Sequence, residues 1–462
     1  MQFRAQQQEM DSKEEKMTLD EVDPSKILSL NLGILKIGGV WWRDIRGTPL
    51  KLFFYRCYEM YVILLHLSFN ITVYLHAILA EENVAEFSES LLVCVCQVLH
   101  GTKVIPVVLR RKKMTSLTVD LENNFYIHGK NLNNEEKYII KKAMHLANTI
   151  TWLYFGSLCT ATCVMILTPP TLALTSGQVN STTQHGYNLL IWKAWLPIDP
   201  TIYPYNILAY FSQVALTFQE GCFIIGGLNA FYLVLIIYTT SQFELLSSSL
   251  RNATRNIGHQ TEENSVINKA SPGAVVAKAT HETNTKHTLL ERGTIDEAIC
   301  FTRDDEIQVS TYIKECIQYH QYLLQYADDL NTILSPLMFM ELLTASLIMC
   351  MLGFQLILMP PNIKFFQMLT HLFTAVFELG LFCWFGSSLI TESEELHNAA
   401  YESGWYNMSP DVKRQVQMII MRAQKPVALR TGQFGLLSMP LFAELMKASY
   451  TYLTMLKQLQ EG

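Results

Sequence analysis

Seven long apolar stretches run through this chain, and each is long enough to cross a lipid bilayer. A transmembrane helix needs about 20 mostly apolar residues to span the hydrocarbon core. The stretches cover residues 55–80, 86–109, 143–168, 206–238, 331–359, 365–390 and 431–457, which we number spans 1 to 7. The sequence therefore predicts an all-α membrane protein with seven transmembrane helices.

The composition agrees with a membrane protein that carries sizeable polar loops. Only 16% of the 462 residues are charged and half are hydrophobic, whereas soluble proteins carry about 25% charged residues. The net charge of −6 argues against a basic nucleic-acid binder, so we expect membrane lipid and no nucleic acid as a partner. No basic start followed by a short apolar core precedes Ile27, and we therefore expect membrane insertion through span 1 rather than a cleaved signal.

Lysine and arginine alternate between the gaps that separate the spans. Of 35 such residues, 29 lie before span 1 or in the gaps after spans 2, 4 and 6, and only Lys193 and Lys364 lie in the other gaps. Basic residues favour the cytoplasmic side. The pattern predicts a cytoplasmic N-terminus and, after seven crossings, an extracellular C-terminus, which is the inverse of a G-protein-coupled receptor.

Four carboxylates interrupt the apolar windows. Glu220, Glu341, Glu378 and Glu444 lie inside spans, and such residues are costly against lipid, so they should face a bundle interior or lie near an interface. Intramembrane carboxylates also occur in proton-coupled transporters, which commonly show internal repeats. Seven spans do not divide evenly and no repeat is visible, so a transporter is a remote alternative.

The sequence contains none of the common catalytic motifs, namely a P-loop, GxSxG or HExxH. We therefore expect no enzyme and no cofactor. None of the cysteines lies in a predicted outer loop or has the spacing of a zinc site, so neither an extracellular disulfide nor a metal is expected. Asn180 heads a glycosylation sequon in the predicted outer loop, which gives weak support to the orientation.

Two amphipathic helices are predicted on the cytoplasmic side. Apolar residues recur at intervals of three and four from Val309 to Leu330, running directly into span 5, and this spacing is typical of an amphipathic helix. Ser409 and Pro410 read as an N-cap and a first helical position, followed by an apolar stripe from Val412 to Ala423. The apolar stripes of these two helices should pack on each other or on neighbouring subunits.

Residues 251–308 are predicted to form a polar insertion, which has few apolar side chains to bury.

These features divide the chain into five parts. We expect a cytoplasmic segment at 1–54, spans 1 to 4 at 55–250, the insertion at 251–308, spans 5 and 6 with the amphipathic helices at 309–430, and span 7 with the extracellular C-terminus at 431–462.

The last seventy residues resemble one family closely. The run HNAAYESGWY from His397, followed by MIIMRAQKP from Met418, is similar to the signature between spans 6 and 7 of insect odorant receptors. The segments TGQF, SMPLF and KASYTY from Thr431 onward continue the pattern, and LNLGILK from Leu30 is similar to the family's beginning. The middle of the chain matches mainly in topology.

The resemblance implies an odorant-gated, non-selective cation channel, assembled as a tetramer in the plasma membrane of a sensory dendrite. Most members of the family need a shared odorant co-receptor in a heterotetramer, and some basal members form homotetramers. The long insertion is similar in length to that of the co-receptor. The N-terminal sequence, however, does not resemble the N-terminal sequence of the co-receptor. A tuning or basal receptor is favoured; the co-receptor itself and the related gustatory receptors are the alternatives.

The family places its odorant pocket between spans 2, 3, 4 and 6. Small volatile odorants are mostly apolar, so aromatic and aliphatic walls with few polar groups are expected. The candidate ligand-binding residues are Leu91, Leu92, Trp152, Phe155, Cys159, Phe211, Ser212, Gln367, Thr370 and His371. The polar residues of span 6 suggest a ligand with a hydrogen-bond acceptor, such as an ester, ketone or alcohol. Each of these side chains could instead serve only helix packing.

The family also implies a pore lined by span 7. Aligned to that pattern, Met455 falls at the narrow apolar position and Gln458 at a polar ring, with Leu456 as the gate if the register slips by one residue. A hydrophobic constriction blocks ions by dewetting. Lys457 should point away from the pore axis, because four lysines facing the pore would repel cations. Met455 could alternatively pack on neighbouring helices.

Overall fold

The computed structural model describes residues 27–41, 49–79, 84–123, 133–175, 189–197, 199, 202–253, 303–433 and 435–461. Within these ranges the chain is helical and contains no strand, apart from an isolated antiparallel bridge between Arg430 and Leu436. The α-helices are α1 Ser29–Ile37, α2 Pro49–Leu79, α3 Val84–Leu109, α4 Arg111–Asn123, α5 Asn134–Thr175, α6 Tyr205–Phe218, α7 Gly226–Arg251, α8 Arg303–Leu358, α9 Ile363–Tyr401, α10 Pro410–Ala423 and α11 Met439–Glu461. The all-α prediction is confirmed.

Six of the helical segments are long and apolar enough to cross a membrane. They are Pro49–Leu79, Ser90–Leu109, Asn134–Thr175, Tyr205–Arg251, Glu306–Ile357 and Ile363–Tyr401, and they correspond to spans 1 to 6. Helix α11 has 23 residues, which at 1.5 Å per residue gives about 34 Å and suffices for a crossing. It carries Glu444 and Lys447 and is less apolar than the other six. The chain is a multi-pass membrane protein, in which a crossing by α11 stays a prediction.

The last helix begins eight residues later than the sequence predicted. The described residues 431–433 and 435–438 are not helical, although the sequence predicted helix there. Gly432 and Gly435 have φ angles of +59° and +136° there, conformations that glycine adopts readily and a helix excludes. Pro440 occupies the second position of α11, where its missing N–H leaves no helical hydrogen bond unmade.

Span 4 contains a π-helical turn, Gln219–Ile225, between α6 and α7. The sequence predicted one uninterrupted helix. Such turns insert an extra residue and re-aim the side chains around them. Glu220 lies in this turn and is buried, and the turn brings Gly221 against Thr162 of α5, whose hydroxyl lies 3.2 Å from where a Cβ would be.

The chain divides into two compact units. Unit 1 contains residues 27–244, 323–393 and 426–461 of the described chain, and unit 2 contains Leu245–Tyr322 and Glu394–Lys425 within the same limits. In unit 1, α7 is the most enclosed element: 89% of the most apolar stretch of span 4 is buried, against 17% for span 1. The core of unit 1 therefore lies around α7.

Unit 2 contains the amphipathic helices predicted for the cytoplasmic side. Helix α8 runs without a break from Arg303 to Leu358, which confirms that the amphipathic stretch continues into span 5. Ser409 is the N-cap of α10 and Pro410 its first residue, as predicted. The apolar stripe of α10 is buried within the single chain. Packing of the stripe inside one subunit is therefore sufficient to cover it.

Exposed charged side chains form ion pairs between helices of unit 2. Arg251, at the end of α7, pairs with Glu395 and with Glu402, the latter at 2.9 Å. The Tyr312 hydroxyl donates to the carbonyl of Ser249 at 3.3 Å. These side-chain contacts link helices that are far apart in sequence, and their exposure makes each of the ion pairs worth little on its own.

Candidate functional site

A cavity of about 140 Å³ lies inside the helix bundle of unit 1. Its walls come from α3, α5, the π-helical turn of span 4, α8 and α9, with Trp192 from the preceding loop. Most of the lining is aliphatic, including Val93, Met165, Ile225 and Ile348. We call it the main cavity, since it combines apolar walls with the most concentrated group of buried charges in the described residues.

A charged cluster forms one end of the main cavity. The ammonium of Lys103 on α3 lies 2.7 Å from Glu341 of α8 and 2.5 Å from Glu378 of α9. Asn229 of α7 donates its amide N–H groups to Glu378 and to the hydroxyl of Tyr154. Two carboxylates thus share one lysine, and hydrogen bonds from α7 stabilise the arrangement in a low-dielectric interior.

A second polar group lies one helical turn along α3. Because Gln97, His100 and Lys103 are spaced by three residues, they share one face of the helix. His100 Nδ1 lies 2.8 Å from Glu220 Oε1, and His66 of α2 contacts the same oxygen at 3.5 Å. The Gln97 amide donates to the other oxygen, Glu220 Oε2, at 3.5 Å. The π-helical turn therefore brings a carboxylate between two histidines and an amide.

A smaller cavity of about 40 Å³ adjoins the main cavity. Both cavities share part of their lining, namely Val93, Cys96, Met165, Trp192 and His371. The smaller one, which we call the side cavity, is also lined by residues 191–193 of the loop before α6. Gln213 of α6 fixes this loop, since its carbonyl oxygen accepts from the backbone N–H groups of Ile191 and Trp192.

Three of the sequence-predicted ligand residues line these cavities. His371 lines both, whereas Leu92 and Gln367 line the side cavity. Leu92 also packs in a cluster with Leu99 and Met368. Spans 2 and 6 therefore bring their predicted residues together around two cavities that share part of their lining.

The other seven predicted ligand residues lie outside both cavities. Trp152 and Phe211 are exposed on the surface of the chain, and so are Leu91 and Ser212. The hydroxyl of Thr370 is used within its own helix, where it donates to the carbonyl of Phe366.

Phe155 and Cys159 contact span 4 behind the cavity wall. The Phe155 ring packs between the rings of Trp152 and Phe223, at centroid distances of 6.2 and 5.9 Å. The sulfur of Cys159 lies 3.4 Å from that of Cys222. Both residues thus join α5 to the π-helical turn.

The predicted gate residues lie on α11, next to an apolar groove. The groove measures about 610 Å³ and lies between α8 and α11, with Leu343, Leu347, Leu445 and Tyr452 among its walls. Met455 lines one end of it and is exposed. We call this surface the α11 groove.

The remaining predicted positions are only partly described. Gln458 is exposed on α11, and the backbone of Leu456 is helical, but the Leu456 side chain lies outside the described residues. Asn180, the predicted glycosylation site, also lies outside them.

The sequence analysis did not assign the charged residues of the main cavity to a site. It expected Glu220, Glu341, Glu378 and Glu444 to face a bundle interior or to lie near an interface. The first three are buried, whereas Glu444 of α11 is exposed. The signal that could have identified the site was a basic residue, Lys103, inside span 2. A lysine in a span needs a carboxylate partner, and the intramembrane glutamates were the available partners.

Comparison with known proteins identifies the family. A sequence model of the 7tm odorant receptor family matches residues 83–450. Among curated proteins, the chain is 26% identical over 146 residues to Odorant receptor Or2 of Anopheles gambiae and 28% identical over 178 residues to the Odorant receptor coreceptor of the same species. These alignments cover 32% and 38% of this chain, and only 39% and 37% of the two relatives.

Solved structures share the fold at low sequence identity. The structure of the insect olfactory receptor OR5 from Machilis hrabei, in complex with eugenol, aligns with a TM-score of 0.74 and 16% identity, covering 95% of this chain and all of that one. A structure of the same receptor described without eugenol gives a TM-score of 0.73. Since the family match extends over most of the sequence and the helical fold agrees with it, this chain belongs to the 7tm odorant receptor family.

Proposed function

We propose that this chain is a subunit of an odorant-gated, non-selective cation channel in the plasma membrane of a sensory neuron. The observation that carries the proposal is the main cavity, bounded by α3, α5, span 4, α8 and α9 in a member of the odorant receptor family. Its aliphatic walls suit a small apolar ligand, and the few polar groups can fix the orientation of that ligand.

The proposed ligand site consists of the two connected cavities. Leu92, Gln367 and His371 contact the ligand or its path of access. Trp152, Phe155 and Cys159 act from behind, because they position α5 against the π-helical turn. On the same proposal, Leu91, Phe211, Ser212 and Thr370 have weaker effects, since they lie outside both cavities.

The proposed pore is lined by α11. Met455 and Gln458 are exposed in the single chain, which suits side chains that face an axis shared by four subunits. Met455 forms the hydrophobic constriction, with Leu456 next to it, and Gln458 forms a polar ring. The partners are the odorant co-receptor in a heterotetramer or further copies of this chain in a homotetramer.

The decisive experiment is to express the chain in cells, alone and with a co-receptor, and to record currents under a panel of odorants. Odorant-evoked currents that reverse near 0 mV are expected, and His371→Ala should shift the concentration–response curve by about tenfold, the size of one lost hydrogen bond. Met455→Ala should raise the basal current.

Two results would contradict parts of the proposal. Currents absent in every combination, with normal surface expression, would rule out a channel. Unchanged basal current and reversal potential in both Met455→Ala and Gln458→Ala would remove these residues from the pore. Thr391→Ala serves as a control, since this exposed residue on α9 lines neither cavity.

A further inference from the structure

Carboxyl groups outnumber lysine and arginine side chains in the main cavity. The part of its lining that the structure describes contains three carboxyl side chains, Glu220, Glu341 and Glu378, and two histidines, with Lys103 as the only lysine or arginine. Lys103 is already within 2.7 Å of two of these carboxylates. An uncompensated buried carboxylate is unfavourable, so this cavity favours a cation or a strong hydrogen-bond donor as its occupant.

Two hydrogen-bond acceptors at the cavity wall have little or no donor. Gln97 is 6% exposed, and its Oε1 has no hydrogen-bond partner in the described residues. Glu220 is 5% exposed, and both histidines contact its Oε1. Among the residues that the structure describes, its Oε2 has only the 3.5 Å contact with the Gln97 amide.

The two acceptors are neighbours, because the side chains of Gln97 and Glu220 contact each other directly. A buried acceptor without a donor costs free energy, and a charged donor forms the stronger hydrogen bond. A group with several N–H donors can serve both oxygens at once.

The rest of the cavity fixes the size of the ligand. Apolar cavities of about 150 Å³ bind benzene in other proteins, so a cavity of about 140 Å³ accommodates a body of roughly six non-hydrogen atoms. The aliphatic walls include Val93, Ile225 and Ile348. Lys193 belongs to the described lining of the side cavity and not to that of the main cavity.

We propose that the main cavity recognises a small aliphatic primary amine, whose ammonium group donates to Gln97 Oε1 and Glu220 Oε2 while its alkyl chain packs against the apolar wall. The proposal rests on the proposed function for its physiological meaning, and it names the ligand class of the same site. It differs from the ester or ketone suggested by the sequence, because both polar atoms are acceptors and an ester or ketone has no donor. It also differs from the suggested alcohol, whose single O–H cannot donate to both acceptors at once, whereas an ammonium group has three N–H donors.

Binding is tested on the purified full-length chain by its thermal unfolding. Pentylamine is the probe and pentan-1-ol the matched neutral control. At equal concentration, pentylamine should raise the unfolding midpoint, and its apparent affinity should exceed that of pentan-1-ol by at least about tenfold.

Two variants remove one acceptor each. Glu220→Gln removes the charge at nearly constant volume, and Gln97→Leu removes the amide while leaving every charge in place. Each should lower the apparent affinity for pentylamine by about tenfold, with little change for pentan-1-ol. Glu394→Gln is the matched control, since it removes an exposed carboxylate of unit 2. If Glu220→Gln does not fold, Gln97→Leu still gives the answer.

Equal stabilisation by pentylamine and pentan-1-ol, or no response of pentylamine binding to either variant, would overturn the proposal. Current recordings with the same two compounds separate it from the proposed function. If neutral odorants evoke currents but binding shows no preference for the amine, the channel proposal stands and the amine-site proposal is refuted. If the amine binds but no subunit combination gives a current, the amine-site proposal stands and the channel proposal is refuted.

Discussion

Helix α11 and residues 226–244 of helix α7 belong to unit 1, but the two helices differ in how much of their surface the chain covers. Helix α7 is enclosed by its neighbours, whereas Tyr450, Tyr452 and Met455 of α11 are more than half exposed. Two polar side chains of α7 donate hydrogen bonds to other helices or loops of the chain: Asn229 donates to Glu378, and Tyr238 donates to the carbonyl of Ile27. A single chain therefore buries α7 by itself, whereas the exposed side chains of α11 are available to contact lipid or other subunits.

The largest expected effect comes from the charged cluster beside α7. Lys103→Met should destabilise the chain by about 3–5 kcal/mol, because it leaves Glu341 and Glu378 buried without a cation. The free energy of unfolding in detergent and the surface expression measure the loss. Combining Lys103→Met with Glu341→Gln and Glu378→Gln should recover much of it, and a triple variant no more stable than the single one would contradict this explanation.

Two matched tyrosines compare the helices directly. Tyr238→Ala should cost about 3–5 kcal/mol, since it empties a fully enclosed position, whereas Tyr450→Ala should change the stability of the isolated chain by less than about 0.5 kcal/mol. Tyr450 is 68% exposed and Tyr238 is 0% exposed. Thermal unfolding of both purified variants provides the test, and losses of similar size would refute the difference between α7 and α11.

His320, a buried histidine in unit 2, tests whether burial of a titratable group outside spans 1 to 7 also affects the free energy of unfolding. Burial, and to a lesser extent the nearby Arg422, lowers the pKa of His320 from 6.5 to about 4. The unfolded chain therefore binds a proton more readily than the folded chain between these values, so stability falls as the pH drops through about 6.5 towards 4.

The contribution of His320 is under about 1 kcal/mol between pH 7 and pH 6. Unfolding of the wild type and of His320→Asn, measured across this range, should show a smaller pH dependence in the variant. Parallel curves for the two proteins would show that His320 does not contribute.

The smallest effect on the isolated chain is expected in the α11 groove. Ala448 lines the groove and is exposed, so Ala448→Trp should change the unfolding free energy by less than about 0.5 kcal/mol. If other subunits complete the surroundings of α11, the same substitution should reduce the tetramer fraction or the odorant-evoked current. Size-exclusion chromatography with light scattering and current recording measure these, and normal values in both would show that this face of α11 borders lipid.

The apolar periodicity of the sequence determined the existence and order of the long helices, although several of them extend beyond the predicted limits. Length and hydropathy act locally, so the positions of spans 1 to 6 follow from the sequence alone. The amphipathic stripe that leads into span 5 and the Ser409–Pro410 start of α10 were predictable for the same reason. The continuation of the family pattern through the last seventy residues was also present in the sequence, and with it the family.

Tertiary structure decided what the buried polar residues do. The sequence indicated that Glu220, Glu341 and Glu378 face inward, but only packing joins Lys103 to two of them, across 238 and 275 positions of sequence. The π-helical turn contacts α5 through Cys222 and Cys159, and it places Glu220 beside His100 and Gln97. Charge pairing and cavity shape depend on groups far apart in the chain. Hydropathy, which averages over neighbours in sequence, does not contain that information.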